Sequence, residues 1–181
     1  WRGGVPQETN NPYDLLVVTS DGRGFFCIKL PNGEIAYTKD GRVRIDRNRR
    51  LVLLANGFPL LNEQNAEIIL PIGKDFAVSE SGVIFLDNNA VEKLRIAIFA
   101  SPKVMTDCLE YANGTIFRLK KKPEFDPNPD YSVRQGFIEV ENTMRALLGN
   151  GTYSKYANEA TAKAARSQIK LLTSAVQMAN P

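Results

Sequence analysis

The chain has 181 residues, 43% hydrophobic and 24% charged, with a net charge of +3 and a pI near 8.9. That is room for one domain, or for one compact domain with a helical appendage, around a core of ordinary size. The positive charge is mild and spread along the chain, short of the clustering on one face that a nucleic-acid surface needs. There is no histidine, which removes the commonest general base and the commonest metal ligand.

Residues 1–13 are turn-rich and are expected to be a loose lead-in. Residues 15–18 form an apolar run of strand length. A turn at Ser20-Asp21-Gly22-Arg23-Gly24 leads into a strand predicted over 25–30. Asn32-Gly33, between two apolar runs, is a strong hairpin signal, and residues 35–38 return from it. After Lys39-Asp40-Gly41, Val43 and Ile45 alternate with Arg42 and Arg44, so the two arginines share the solvated face of a half-buried strand. Asp46-Arg47-Asn48-Arg49 turns, residues 51–54 return, and Asn56-Gly57 closes that hairpin.

Further strands are predicted at 66–71, 76–78 and 83–86, and from about 93 to 100, where Pro102 stops the last one. A turn over 111–115 precedes a strand at 116–119. Lys120-Lys121-Lys122 reads as a solvated turn beside an irregular exposed loop containing Pro123, Pro127 and Pro129. A β-like stretch covers 133–142.

Residues 143–148 begin a helical pattern that Gly149-Asn150-Gly151-Thr152 interrupts. From 153 to 179 there is no proline or glycine and alanine is abundant, as a helix prefers. Small or apolar residues recur at helical spacing at Ala157, Ala160, Ala164, Leu171, Leu172, Ala175 and Met178. The stripe is poor in the large side chains that anchor a helix with ~1.5–3 kcal/mol each. Two readings stay open: a helix lying flat on the β-domain, or one that is marginal alone and ordered by neighbouring copies. The expected fold is mainly β, a hairpin-rich antiparallel domain over 14–142 with a C-terminal α-helix in 143–181.

No chemistry-bearing pattern emerges. Gly22-Arg23-Gly24 precedes a strand, so no helix N-terminus follows it to hold a phosphate. Asp87 with Asp107, or Glu139 with Glu141, could be cast as a carboxylate pair, but nothing fixes their separation, and Ser79 and Ser81 have no histidine to activate them. Cys27 and Cys108 lack metal-ligand spacing. Cys27 reads as a buried thiol, and a disulfide between the two stays open. Asn150-Gly151-Thr152 fits the glycosylation tripeptide. No apolar run of about 18 residues suggests a membrane span, and no signal peptide is visible in a chain that starts at Trp1. No enzymatic activity, cofactor, metal or small-molecule substrate is expected.

Taken in order, the motifs resemble those of the bacterial flagellar rod–hook family. Asp14-Leu15 followed by Gly24-Phe25-Phe26 resembles its DLAI…GxGFF start, and Tyr37-Thr38-Lys39-Asp40-Gly41 resembles YTRDG. Leu51-Val52 with Asn56-Gly57-Phe58-Pro59 resembles GxLVTxxGYPV, and Leu94, Phe99 and Pro102 resemble LxxxxFxNPxGL. Gln135-Gly136-Phe137-Ile138-Glu139 with Asn142 resembles QGxLExSN. The set spans Asp14 to Asn142, about seven-tenths of the chain. Asp21-Gly22-Arg23 reads as a small insertion, no long helical segment precedes Asp14, and the family's QRAYExN run is missing near the C-terminus.

The resemblance implies a rod subunit of the basal body, exported without a cleavable signal peptide. It implies polymerisation with copies of itself and with other rod or hook subunits into a helical tube that transmits torque. Terminal helices would line the tube and the β-domain would form its shell. The helical stripe would then be a subunit interface, and Gly24, Phe25, Phe26, Tyr37, Gly41, Gly57, Pro59, Gln135, Gly136, Glu139 and Asn142 the family's motif positions. No nucleic-acid partner is expected. The rival reading is a monomeric β-rich binding module that presents Phe25, Phe58 and Tyr111 as an exposed recognition surface.

Overall fold

The computed structural model describes residues 5–73 and 75–140. The helical stripe, Asn142, Glu141 and the tripeptide at 150–152 lie outside the described residues. In chain order the elements are β1 (Val5–Glu8), β2 (Leu15–Val18), β3 (Gly24–Lys29), β4 (Ile35–Thr38), β5 (Val43–Ile45), β6 (Leu51–Leu53), β7 (Phe76–Val78), β8 (Val83–Leu86), β9 (Asn89–Lys93), β10 (Ile96–Ile98), α1 (Pro102–Cys108), β11 (Leu109–Asn113), β12 (Ile116–Leu119), β13 (Ser132–Gln135) and β14 (Phe137–Val140). The described unit is therefore mainly antiparallel β with one short helix.

Gly24-Phe25-Phe26-Cys27-Ile28 is buried at every position. Side chains alternate between the faces of a strand, so both faces of β3 must be covered. β3 accordingly lies inside a five-stranded sheet, order β10-β3-β4-β12-β11. Phe26 and Ile28 point into the larger core, with Leu15, Val43, Leu53 and Leu60. Phe25 and Cys27 point into a second core, with Tyr37, Phe99, Met105 and Cys108. The smaller sheets, β13-β2, β5-β6 and β7-β8-β9, supply residues to the larger core.

Local chemistry explains most turns. The β3–β4 hairpin closes on Asn32-Gly33, with Gly33 at φ 84° and the Asn32 carboxamide oxygen accepting from the Glu34 amide. The β8–β9 hairpin turns through Asp87 and Asn88, both at positive φ, a conformation these short polar residues tolerate.

The structure departs from the sequence expectations in six places. The lead-in contributes a strand, because β1 pairs with β14. Residues 66–71 form isolated bridges rather than a strand: the segment donates and accepts across to both the 49–51 and the 60–62 backbone, so no single ladder is continuous. The strand expected over 93–100 is divided. β9 belongs to the β7-β8-β9 sheet and β10 to the five-stranded one, and the chain changes sheets at Leu94 and Arg95, which bond to Gly82 and Leu61. Pro102 opens a helix rather than merely ending a strand; Ser101 caps it by accepting from the Val104 amide, and proline is preorganised for a first helical position. Residues 109–113 are strand, with the turn confined to Gly114-Thr115, and the 133–142 stretch is broken at Gly136, which has φ 82°.

Cys27 and Cys108 are both free and both buried. Burial pushes the Cys27 thiol up to about 12, although the nearby Arg95 pulls the other way. The thiolate is the reactive species, so alkylation of the native protein at about pH 8 is expected to label neither cysteine. Both should label once the chain is unfolded, as intact mass will read.

At Gly41 a Cβ would lie 1.9 Å from the Leu15 carbonyl oxygen and 2.8 Å from the Phe26 ring, while the Gly41 carbonyl accepts from the Leu15 amide. Gly41→Ala is expected to cost about 3 kcal/mol or more in urea unfolding, because backbone rather than a flexible side chain must move. Ile72→Ser, at a side chain 92% exposed, should change stability by no more than about 0.5 kcal/mol.

Candidate functional site

The motif positions converge on the assembly of the domain itself. At Gly24 a Cβ would sit 2.5 Å from the Val17 Cγ1, so glycine is what lets β2 and β3 approach. Phe25 meets Phe99 and Phe117 edge-on, at 5.7 and 5.8 Å between ring centroids. Tyr37 meets Phe99 edge-on at 5.8 Å, and burial pushes its hydroxyl up to about 12. These are favoured aromatic geometries. Gly57 takes φ 76°, and the Pro59 carbonyl accepts from the Lys29 amide, tying the β6 hairpin to β3.

The Gln135-Gly136 pair closes the domain. The Gln135 carboxamide nitrogen donates to the Pro12 and Phe76 carbonyls, at 2.8 and 3.2 Å, and its oxygen accepts from the Val78 amide at 3.1 Å. A carboxamide carries two N–H donors and an acceptor oxygen on one short group, which is what these three backbone groups require together. The Gly136 amide donates to Asp14, and its carbonyl accepts from Thr9. A positive φ at Gly136 suits glycine and swings the chain from β13, paired with β2, into β14, paired with β1. Val5 then stands opposite Val140, so the backbone enters and leaves this unit side by side.

Three cross-links were not singled out in the sequence. Arg23 pairs with Asp21 and donates to the Phe99 carbonyl and to Asp126; the Asp21-x-Arg23 spacing was its visible signal. Asn62 accepts from the Gln64 and Ala66 amides. Lys39 lies 3.4 Å from the Glu139 carboxylate.

The structure does not assemble the surface that the rival reading needs. Phe25 is fully buried and Tyr111 is 66% exposed, while Phe58 packs partly buried against the larger core. The acidic residues have structural partners: Asp87 accepts from the Asp75 amide, Asp107 pairs with Lys103 and Lys121, and Glu139 with Lys39. Ser79 and Ser81 bond to each other in a turn, where Ser79 accepts from the Val83 amide. Arg42 is held bidentately by Asp40, and Arg44 and Arg47 are exposed.

Comparison with known proteins agrees with this architecture. A family model described as the flagellar hook protein FlgE/F/G D1 domain matches residues 20–86. The flagellar basal-body rod protein FlgF of Buchnera aphidicola subsp. Baizongia pistaciae is 30% identical over 118 residues, 65% of this chain and 46% of that protein. FlgG of the same organism is 37% identical over 154 residues, 75% of this chain and 52% of that protein. FlgG of Borreliella burgdorferi is 33% identical over 108 residues, 55% of this chain and 38% of that protein. The chain thus spans about half or less of the length of these relatives. With a D1-type match inside a β-domain closed by its own motif residues, these similarities support the flagellar basal-body rod protein family for this chain.

Proposed function

We propose that this chain is a structural, non-enzymatic subunit of the flagellar basal body that polymerises with copies of itself and with other rod or hook subunits and transmits torque. In this reading residues 14–142 are the shell domain and 143–181 an α-helical assembly segment. The protein is placed in the periplasmic rod of the basal body. The observation that carries the proposal is the D1-type match at residues 20–86 together with what the described motif residues do: they close backbone, core and turns. The pairing of β1 with β14 suits a shell domain hung from two adjacent segments.

The stripe Ala157, Ala160, Ala164, Leu171, Leu172, Ala175 and Met178 would form the subunit interface. Small residues let helices approach closely, and repeated contacts that do not close on themselves produce an open filament. Removing residues 153–181 is expected to abolish polymers in sedimentation and electron microscopy, while the β-domain keeps a cooperative urea transition. Polymers formed by the truncated chain would overturn the reading.

A further inference from the structure

Two motifs a hundred residues apart in sequence meet at one ion pair. Lys39 Nζ lies 3.4 Å from the Glu139 carboxylate, with the two side chains 14% and 12% exposed, and 4.8 Å from the centroid of the Phe25 ring. Burial lowers the Lys39 pKa, and Glu139 works against that. A charge so enclosed is costly unless a partner and a ring face receive it. Pairs on open surface contribute little; this one is not on open surface.

Its location gives it a task. β1 and β14 make a two-stranded ribbon, and every side chain of β1 is exposed. Two-stranded ribbons are marginal alone. The base of this ribbon is held by Gly136, through Asp14 and Thr9. Glu139 stands three residues further along β14 and reaches the turn after β4 through Lys39. A ribbon fixed at its base alone can pivot, whereas a second attachment gives it a direction.

We propose that Lys39 and Glu139 are positioning residues that lock the β1–β14 ribbon at a fixed angle to the five-stranded sheet, and so set the direction in which the backbone leaves the domain at Val5 and Val140. The lock is a property of the single chain; only its consequence for polymer geometry rests on the axial-subunit reading.

The test is hydrogen exchange on the full chain carrying Lys39→Met, Glu139→Gln, both together, or Lys39→Arg. In each single variant, the amides of Val5, Gln7 and Glu8 and those at 137–140 should exchange about tenfold faster, as expected for loss of one charge-assisted contact. Amides of β3 and β4 should change several-fold less. The double variant should not exceed the larger single effect, because the residues act as a pair, and Lys39→Arg should restore slow exchange. Glu139→Gln leaves an uncharged acceptor in place and keeps the test open should Lys39→Met fold poorly. Unchanged ribbon exchange, or equal acceleration across the whole sheet, would overturn the lock. A loosened ribbon in a chain that still forms normal polymers would keep the lock and overturn its role in assembly; the axial reading itself is judged by the 153–181 truncation.

Discussion

β3 has no polar face. Five consecutive buried residues, Gly24 through Ile28, can be accommodated only if something covers each side of the sheet they join. The larger core meets that need on one side with residues from β2, β5, β6 and the 60–70 segment. On the other side the aromatic cluster of Phe25, Tyr37 and Phe99 is roofed by α1 through Met105 and Cys108. The cross-links at Arg23, Pro59 and Gln135 tie elements together around that double burial.

The family motifs are accordingly structural in content. Glycines stand where a packed side chain or a backbone leaves no room for a Cβ, at Gly24 and Gly41 respectively, or where φ turns positive, at Gly57 and Gly136. Of the aromatic positions, Phe25 and Tyr37 fill the second core and Phe26 the larger one, and the Gln135 carboxamide serves three backbone groups belonging to the lead-in and β7. Such residues resist substitution for reasons of volume and hydrogen bonding, which accounts for a recognisable pattern of structural positions.

Short-range signals were legible in the sequence. Asn32-Gly33 announced its hairpin, and the alternation of Arg42, Val43, Arg44 and Ile45 announced a strand with one wet face. The strands at 15–18, 35–38, 76–78, 83–86 and 116–119 were bounded by turn residues on both sides. What stayed hidden depends on distant partners. Nothing local says that 93–98 changes sheets, because each half is a good strand and only the positions of Leu61 and Gly82 divide them. β1 carries no apolar periodicity and is a strand because β14 lies beside it. The capping signal at Ser101-Pro102 was present but competed with the reading of proline as a terminator. Glu139 was visible as a motif letter, whereas its counter-ion could be identified only once the chain was folded.

The side-by-side ends of the domain also bear on how it folds. Pairing Val5 with Val140 joins residues at nearly the greatest separation the unit allows, so the loop-closure entropy must be met before that pairing is rewarded. The hairpins at 24–38 and 43–53 need no such closure and can form early. The order of events then runs from the middle outward, with the β13–β2 and β1–β14 pairings as the long-range closures. The core itself waits on one such closure, because Val133 of β13 must reach Val17 of β2 before the larger core is complete.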